Sequence, residues 1–132
     1  MKMHKVLVVD DDQSVLRAIG RVLKSHGLEF SIANNGDDAM RKLEADSDIS
    51  VVLIEVYCGK GSDMDGISLA RRMRRFGYGT PIVFMFDDVA PHPPRDLAEL
   101  SPYMAPKPLD EDLLIPRLRA AFDAANASVA VH

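Results

Sequence analysis

The sequence predicts an α/β domain built on a parallel sheet with helices on both faces. Short apolar runs alternate with helical patterns along the chain, and acidic residues follow several of those runs. Continuous apolar runs are typical of strands buried on both faces, and their alternation with helices is typical of parallel sheets. Ligands of such sheets bind at the carboxyl ends of the strands, where these acids are expected.

The first half of the chain is predicted to contain three strands and two helices. Apolar runs predict strands at 6–9, 28–33 and 49–55, of which the third is the strongest. Apolar residues at helical spacing predict helices at 13–26 and 37–45. Gly27 lies where the first helix is expected to end, and Asn34-Asn35-Gly36 is a turn signal before the second.

The second half of the chain continues the alternation of predicted strands and helices, but less regularly than the first. Helices are predicted at 65–76 and 109–125, the latter broken or offset near Pro116, and strands at 82–86 and 103–105. Pro91, Pro93 and Pro94 leave room for only a short helix at 95–100, because proline lacks an amide donor and restricts the residue before it.

The composition and charge indicate a globular protein of one domain and exclude several functional classes. The chain has 132 residues, enough for one domain, with 47% hydrophobic and 27% charged residues, as in an ordinary globular protein. The formal charge of −4 excludes a strongly basic nucleic-acid binder. Cys58 is the single cysteine, so no internal disulfide forms, and no apolar run resembles a signal peptide or a membrane span. We expect a cytoplasmic protein with neither nucleic acid nor membrane as a partner.

Charged residues follow the predicted strands. Asp10 and Asp11 follow the first strand, Glu55 ends the third, and Lys107 follows the fifth. Converging carboxylates repel one another, and a hard cation such as Mg²⁺ or a nearby ammonium group relieves the repulsion. A purely structural origin stays open, because turns favour aspartate anyway.

Four landmarks carry a resemblance to a known family. Val8-Val9-Asp10-Asp11, the acid ending the third strand, Asp65-Gly66 and Lys107-Pro108 together resemble the receiver domain of two-component response regulators, over residues 4–124. The resemblance implies a flavodoxin-like, doubly wound fold with a five-stranded parallel sheet in the order 2-1-3-4-5. We expect residues 1–125 to form this receiver-like domain and 126–132 a flexible tail.

The resemblance also implies roles for individual residues. Asp10 and Asp11 would hold Mg²⁺, and Glu55 stands at the phosphoacceptor position. Phe86 stands where the family has a Ser or Thr, and Met104 where it has a switch aromatic. Lys107 matches the family's lysine, which pairs with the phosphoryl group.

Two of the positions that take part in phosphoryl transfer depart from the family pattern. The acceptor is glutamate instead of aspartate, and Phe86 has no hydroxyl group to donate to phosphoryl oxygens. The spacing of ten residues from Glu55 to Asp65 is longer than in the family and contains no proline. Because in-line attack is sensitive to shifts of about 1 Å, the sequence predicts a pseudo-receiver that is not phosphorylated in the usual way. Binding of Mg²⁺ is expected to be weak or absent.

The functional hypothesis is a signalling module, not an enzyme, that acts by protein–protein contacts. Its expected partners are signalling proteins, either a histidine kinase or an output partner, and a homodimer is left open. Glu55 would partly imitate a phosphorylated aspartate and pair with Lys107. The alternative is a functional phosphoacceptor that uses another acid, such as Asp63 in the long loop.

Overall fold

A computed structural model describes residues 5–56, 66–87, 103–107 and 111–130. These residues form one parallel sheet of five strands in the order β2-β1-β3-β4-β5, together with four helices. The predicted doubly wound, flavodoxin-like fold is therefore confirmed. The strands are β1 (Lys5–Val9), β2 (Glu29–Ala33), β3 (Ile49–Glu55), β4 (Ile82–Asp87) and β5 (Tyr103–Lys107). The helices are α1 (Gln13–Ser25), α2 (Gly36–Ala45), α3 (Gly66–Arg75) and α4 (Glu111–Ala130).

The sheet separates the hydrophobic core into two layers. Successive side chains of β1 alternate between them: Val6 and Val8 pack with α1 and α4, whereas Leu7 and Val9 pack with α2 and α3. All four are fully buried, as are residues 51–54 of β3 and 82–85 of β4. This two-sided burial explains why the central strands have unbroken apolar runs in the sequence. No helix in the described residues is long and apolar enough to cross a bilayer.

Glycines terminate α1 and α3 in the same way. Gly27 and Gly77 have φ angles of 71° and 85°, in the left-handed region that favours glycine. After α1, the amide of Leu28 donates to the carbonyl of Leu23 at 2.9 Å, and the amide of Tyr78 makes the equivalent bond after α3. The predicted end of the first helix at Gly27 is confirmed.

The last helix differs from its prediction. α4 runs without interruption from Glu111 to Ala130, so the predicted break near Pro116 is wrong, and the helix extends into 126–132, predicted as a tail. Packing of its buried face against the sheet stabilises the helix across Pro116. In the turn where Pro116 removes a backbone donor, Arg117 Nη1 donates to the carbonyl of Leu113 at 2.9 Å. The buried residues are Leu114, Ile115, Leu118, Ala121, Phe122 and Ala125.

The fifth strand is longer than predicted. It continues through Pro106 to Lys107, where the sequence predicted only 103–105. A proline is tolerated here because β5 lies at the edge of the sheet, where one side of the strand makes no ladder bonds. The short helix predicted at 95–100 lies outside the described residues.

An extra residue enters the sheet at the start of β3. The register pairs Lys5 with Ile49 and Val6 with Val51, so Ser50 is a bulge between them. Ser50 is a buried polar residue, and its hydroxyl donates to the carbonyl of Lys5 at 3.3 Å. The bulge is thus held by a side-chain hydrogen bond of its own.

An ion pair lies beside this bulge. Lys5 Nζ is 2.5 Å from Asp46 Oδ2, and both side chains are partly shielded from solvent. The hydrogen bond from Lys5, and then the one from the backbone amide of Asp48, lowers the pKa of Asp46 below its ordinary value, while the bond to Asp46 raises the pKa of Lys5. The pair therefore ties the start of β1 to the connection between α2 and β3.

Arg74 fixes the connection from α3 to β4. Its Nη1 donates to the carbonyls of Tyr78 and Thr80, each at 2.8 Å, and burial lowers its pKa from the ordinary value. The guanidinium group thereby satisfies two carbonyls of a loop that has few backbone partners of its own.

Replacing Asp46 by asparagine is expected to destabilise the fold in a pH-dependent way. The amide oxygen can still accept from Asp48, so the variant removes mainly the charge. Because the folded pKa of Asp46 is lowered, its stabilising contribution is complete above the unfolded pKa of about 3.9 and is lost as the pH falls through the folded value. Urea unfolding should show a deficit for Asp46→Asn at pH 7 that shrinks towards about pH 3. Exposed Asp123→Asn is the control, and a deficit independent of pH would contradict the assignment.

Replacing Arg74 by methionine should lower the free energy of unfolding by about 1–2 kcal/mol, because two loop carbonyls lose a charged donor while the apolar stem is kept. The matched control is Arg75→Met, one residue along the same helix and exposed, with an expected change within about 0.5 kcal/mol. Equal effects in chemical denaturation would show that the carbonyl contacts do not stabilise the loop.

Candidate functional site

An acidic cluster lies at the carboxyl edge of the sheet. Val9 of β1 pairs with Ile54 of β3, so the residues that follow them, Asp10 and Glu55, are brought to the same edge. Carboxylate oxygens of Asp10, Asp11 and Glu55 lie within 4.8 Å of one another. The convergence expected from the sequence is thus present for these three residues.

The three consecutive aspartates after β1 have different roles. Asp10 is fully buried, and its Oδ1 accepts from the backbone amide of Asp12 at 3.0 Å. Asp12 caps α1, because its Oδ1 accepts from the amide of Ser14 at 2.9 Å and from its hydroxyl at 2.6 Å. Asp11 is exposed and faces the cluster. Capping therefore fixes the turn that aims Asp10 and Asp11 towards Glu55.

The donor set of the cluster fits a hard divalent cation. Three carboxylates at this separation repel one another, and a cation between their oxygens relieves that repulsion. Mg²⁺ prefers oxygen ligands and is held in proteins by one or two carboxylates with water completing its shell. Asp10 and Asp11 are the residues that would hold it, with Glu55 beside them.

The close approach of α3 fixes the backbone beneath Glu55. The amide of Gly66, the first residue of α3, donates to the carbonyl of Val56 at 3.0 Å. A Cβ atom placed on Gly66 would lie 2.1 Å from the carbonyl oxygen of Glu55, far inside van der Waals contact. Only glycine allows the helix to start this close to the end of β3. The resemblance pointed to Asp65-Gly66, but the sequence did not reveal this steric reason.

The remaining candidate residues are Phe86 of β4, Met104 and Lys107 of β5, and Asp63. Phe86 is partly buried and packs against the core layer of α2 and α3, and it pairs with Pro106 in the strand register. Met104 and Lys107 lie in β5, and their side chains are outside the description, as is Asp63 altogether. The predicted contact between Glu55 and Lys107 stays a prediction.

Sequence comparisons identify relatives among signalling proteins. The family model described as "Response regulator receiver domain" matches residues 6–119. The response regulator MprA of Mycolicibacterium vanbaalenii is 30% identical over 118 residues, covering 88% of this chain and 49% of MprA. The regulatory protein AtoC of Escherichia coli is 34% identical over 83 residues, covering 63% of this chain and 17% of AtoC. The chain thus spans half or less of these curated relatives.

Solved structures share the fold. The receiver domain of the Francisella response regulator 1452 superposes with a TM-score of 0.77 at 24% identity, covering 92% of this chain and 98% of that one. The signal receiver domain of a putative Luxo repressor protein from Vibrio parahaemolyticus has a TM-score of 0.85 at 17% identity, with 98% and 97% coverage. At such identities these similarities establish the fold alone.

Replacing Gly66 by alanine should disturb the end of β3, because the new methyl group would overlap the carbonyl of Glu55. We expect a loss of about 1–3 kcal/mol or more in the free energy of unfolding. Gly79→Ala is the matched control: a Cβ there has no neighbour within 4 Å, so its effect should stay within about 0.5 kcal/mol. Thermal and urea unfolding measure both variants, and a neutral Gly66→Ala would refute the steric constraint.

Proposed function

The chain belongs to the response regulator receiver domain family, and from that membership we propose that it is an atypical member that signals by protein contacts without accepting a phosphoryl group at Glu55. The observation that carries the proposal is the position of the Glu55 carboxylate, which lies within 4.8 Å of the carboxylates of Asp10 and Asp11. The proposal concerns this receiver domain, since the chain covers only part of its curated relatives.

The length of Glu55 argues against ordinary phosphoryl transfer. Its backbone is fixed by the contact with Gly66, so the extra methylene relative to aspartate is not absorbed by a shift of the strand. The carboxylate therefore extends further into the acidic cluster than an aspartate would. Since catalytic geometry tolerates displacements of only about 1 Å, attack on a phosphodonor bound beside the metal-side acids is misaligned.

Phe86 removes a second contribution to phosphoryl transfer, which is the hydrogen bond that a Ser or Thr hydroxyl would donate. An aromatic ring cannot donate a hydrogen bond to phosphoryl oxygens, and such donors provide much of the stabilisation of developing charge. The ring is partly buried and packs against the core layer of α2 and α3, so it contributes to the stability of the fold. A phosphorylation-dependent movement of this residue would therefore have to break apolar packing instead of forming a hydrogen bond.

Glu55 also supplies a permanent negative charge at the position of the acceptor. We propose that this charge holds the domain in one state that binds its partner, with Lys107 as the cationic counterpart at the end of β5. A carboxylate carries less charge and fewer acceptor oxygens than a phosphoryl group, so the imitation is partial. The expected partners are cytoplasmic signalling proteins, either a histidine kinase or an output protein.

Incubation with acetyl phosphate and Mg²⁺, followed by intact-mass spectrometry, tests the proposal. The wild-type protein should show no phosphoryl adduct. The matched control is the double variant Glu55→Asp, Phe86→Ser, which restores both residue types of the family. We expect the wild type to react at least about a hundredfold more slowly than this variant, the penalty for misplacing a reacting group by about 1 Å.

A stable phosphoryl adduct on the wild type would refute the proposal. Its position, mapped by peptide mass spectrometry after borohydride reduction of the acyl phosphate, would then identify the acceptor. An adduct on Asp63 would establish the alternative of a functional phosphoacceptor, and one on Glu55 would show that the longer side chain is tolerated.

A further inference from the structure

A second feature, lined by none of the three residues of the acidic cluster, lies where α1 runs beside the edge strand β2. An apolar groove of 320 Å³ lies between these two elements, and we call it the α1–β2 groove. Leu16 and Gly20 of α1 and Phe30 and Ile32 of β2 line its floor. Its volume is at the low end of the range of about 300–1,000 Å³ for ligand pockets in proteins. A groove of this size has room for a few apolar side chains.

Gly20 gives the groove its shape. A Cβ atom at this position would lie 2.9 Å from the ring of Phe30, so the absence of a side chain lets the ring lie directly on the helix backbone. Ile32 is 37% exposed, one of the few large apolar side chains of the described residues that remain so accessible. The floor is therefore apolar and open to solvent.

Three basic residues form the rim. Arg17, Arg21 and Lys24 are exposed and follow one another at i, i+4 and i+7 along α1. Like charges at this spacing destabilise a helix by a few tenths of a kcal/mol, and none of the three has an ion pair with the described part of the chain. A local excess of positive charge thus surrounds the groove on a protein whose net charge is −4.

The outer edge of β2 disfavours an added strand. Ala33 accepts at its carbonyl from the amide of Asp10, so the carbonyl of its neighbour Ile32 points away from β1, towards the free edge. The ammonium group of Lys42 donates to this carbonyl. An extended peptide pairing with β2 would have to displace Lys42, whereas a helix lying in the groove would not.

From these observations we propose that the α1–β2 groove binds an acidic amphipathic helix of a partner protein. Apolar side chains on one face of that helix occupy the floor, and flanking carboxylates pair with Arg17, Arg21 and Lys24. Charge complementarity with the rim selects the partner, and apolar contact with Phe30 and Ile32 supplies affinity. The groove is separate from Asp10, Asp11 and Glu55, so this binding does not depend on phosphorylation.

A designed peptide tests the groove directly. The probe is a fluorescein-labelled helix of about 18 residues with leucine at i, i+3, i+4 and i+7 and glutamate on the flanks. The comparison peptides replace glutamate by lysine, or leucine by alanine. Fluorescence anisotropy with the full 132-residue protein should show binding of the first peptide only, weakening as salt is added. Amide shifts in NMR spectra should cluster at Leu16, Gly20 and Ile32.

Variants locate the interaction. Arg17→Glu with Arg21→Glu should weaken binding by about tenfold or more, and Ile32→Ser by a similar factor, because one removes the charge complementarity and the other an apolar anchor. Arg119→Glu, exposed on α4 and away from the groove, is the charge-matched control and should change affinity by less than about twofold. Circular dichroism confirms that all three variants fold.

The proposal would be overturned by the absence of binding, by equal binding of the lysine peptide, by shifts that map to another surface, or by binding of anionic phosphatidylserine vesicles in place of the peptide. Self-association that disappears in the Arg17→Glu, Arg21→Glu variant would also overturn it, because it would identify a second copy of the chain as the occupant.

Discussion

Parallel pairing of β1 with β3 is the constraint on which the rest of the structure depends. Both strands are buried on two faces, so their apolar residues fix the register in which Val9 lies opposite Ile54. A slip by one residue would move every side chain to the other core layer. Because the register is fixed by packing, Asp10 and Glu55 are forced together one residue beyond it, despite their mutual repulsion. Apolar burial thus stabilises an arrangement of charges that would not form alone.

Much of this arrangement was predictable from local signals. Continuous apolar runs identified the central strands, Gly27 marked the end of α1, and the predicted bounds of β3 match the structure. Acids at strand ends predicted the cluster, because parallel strands place their carboxyl ends at one edge. These features depend on short segments, whose patterns a single sequence displays directly.

Features that depend on contacts between distant segments were not predictable. The extent of α4 past Pro116 comes from its packing on the sheet, which outweighs the local cost of proline. The four arginines of α3 look alike in sequence, but Arg74 binds loop carbonyls and Arg72 Nη1 lies 2.7 Å from Asp37 of α2. Their different roles follow from neighbours that only the fold supplies. The same is true of α1, whose basic residues become a rim because β2 lies beside them.

The bulge at Ser50 has a consequence for how this fold tolerates change in length. The extra residue separates the ladder of 51–54 with β1 from the segment that precedes it, where Lys5 holds both Ser50 and Asp46. An insertion or deletion in the turn after α2 can be absorbed by widening or closing the bulge, while the paired residues beyond it keep their alternation. A change of length in the turn at 46–48 therefore leaves in place the register that brings Asp10 and Glu55 together at the other end of the strands.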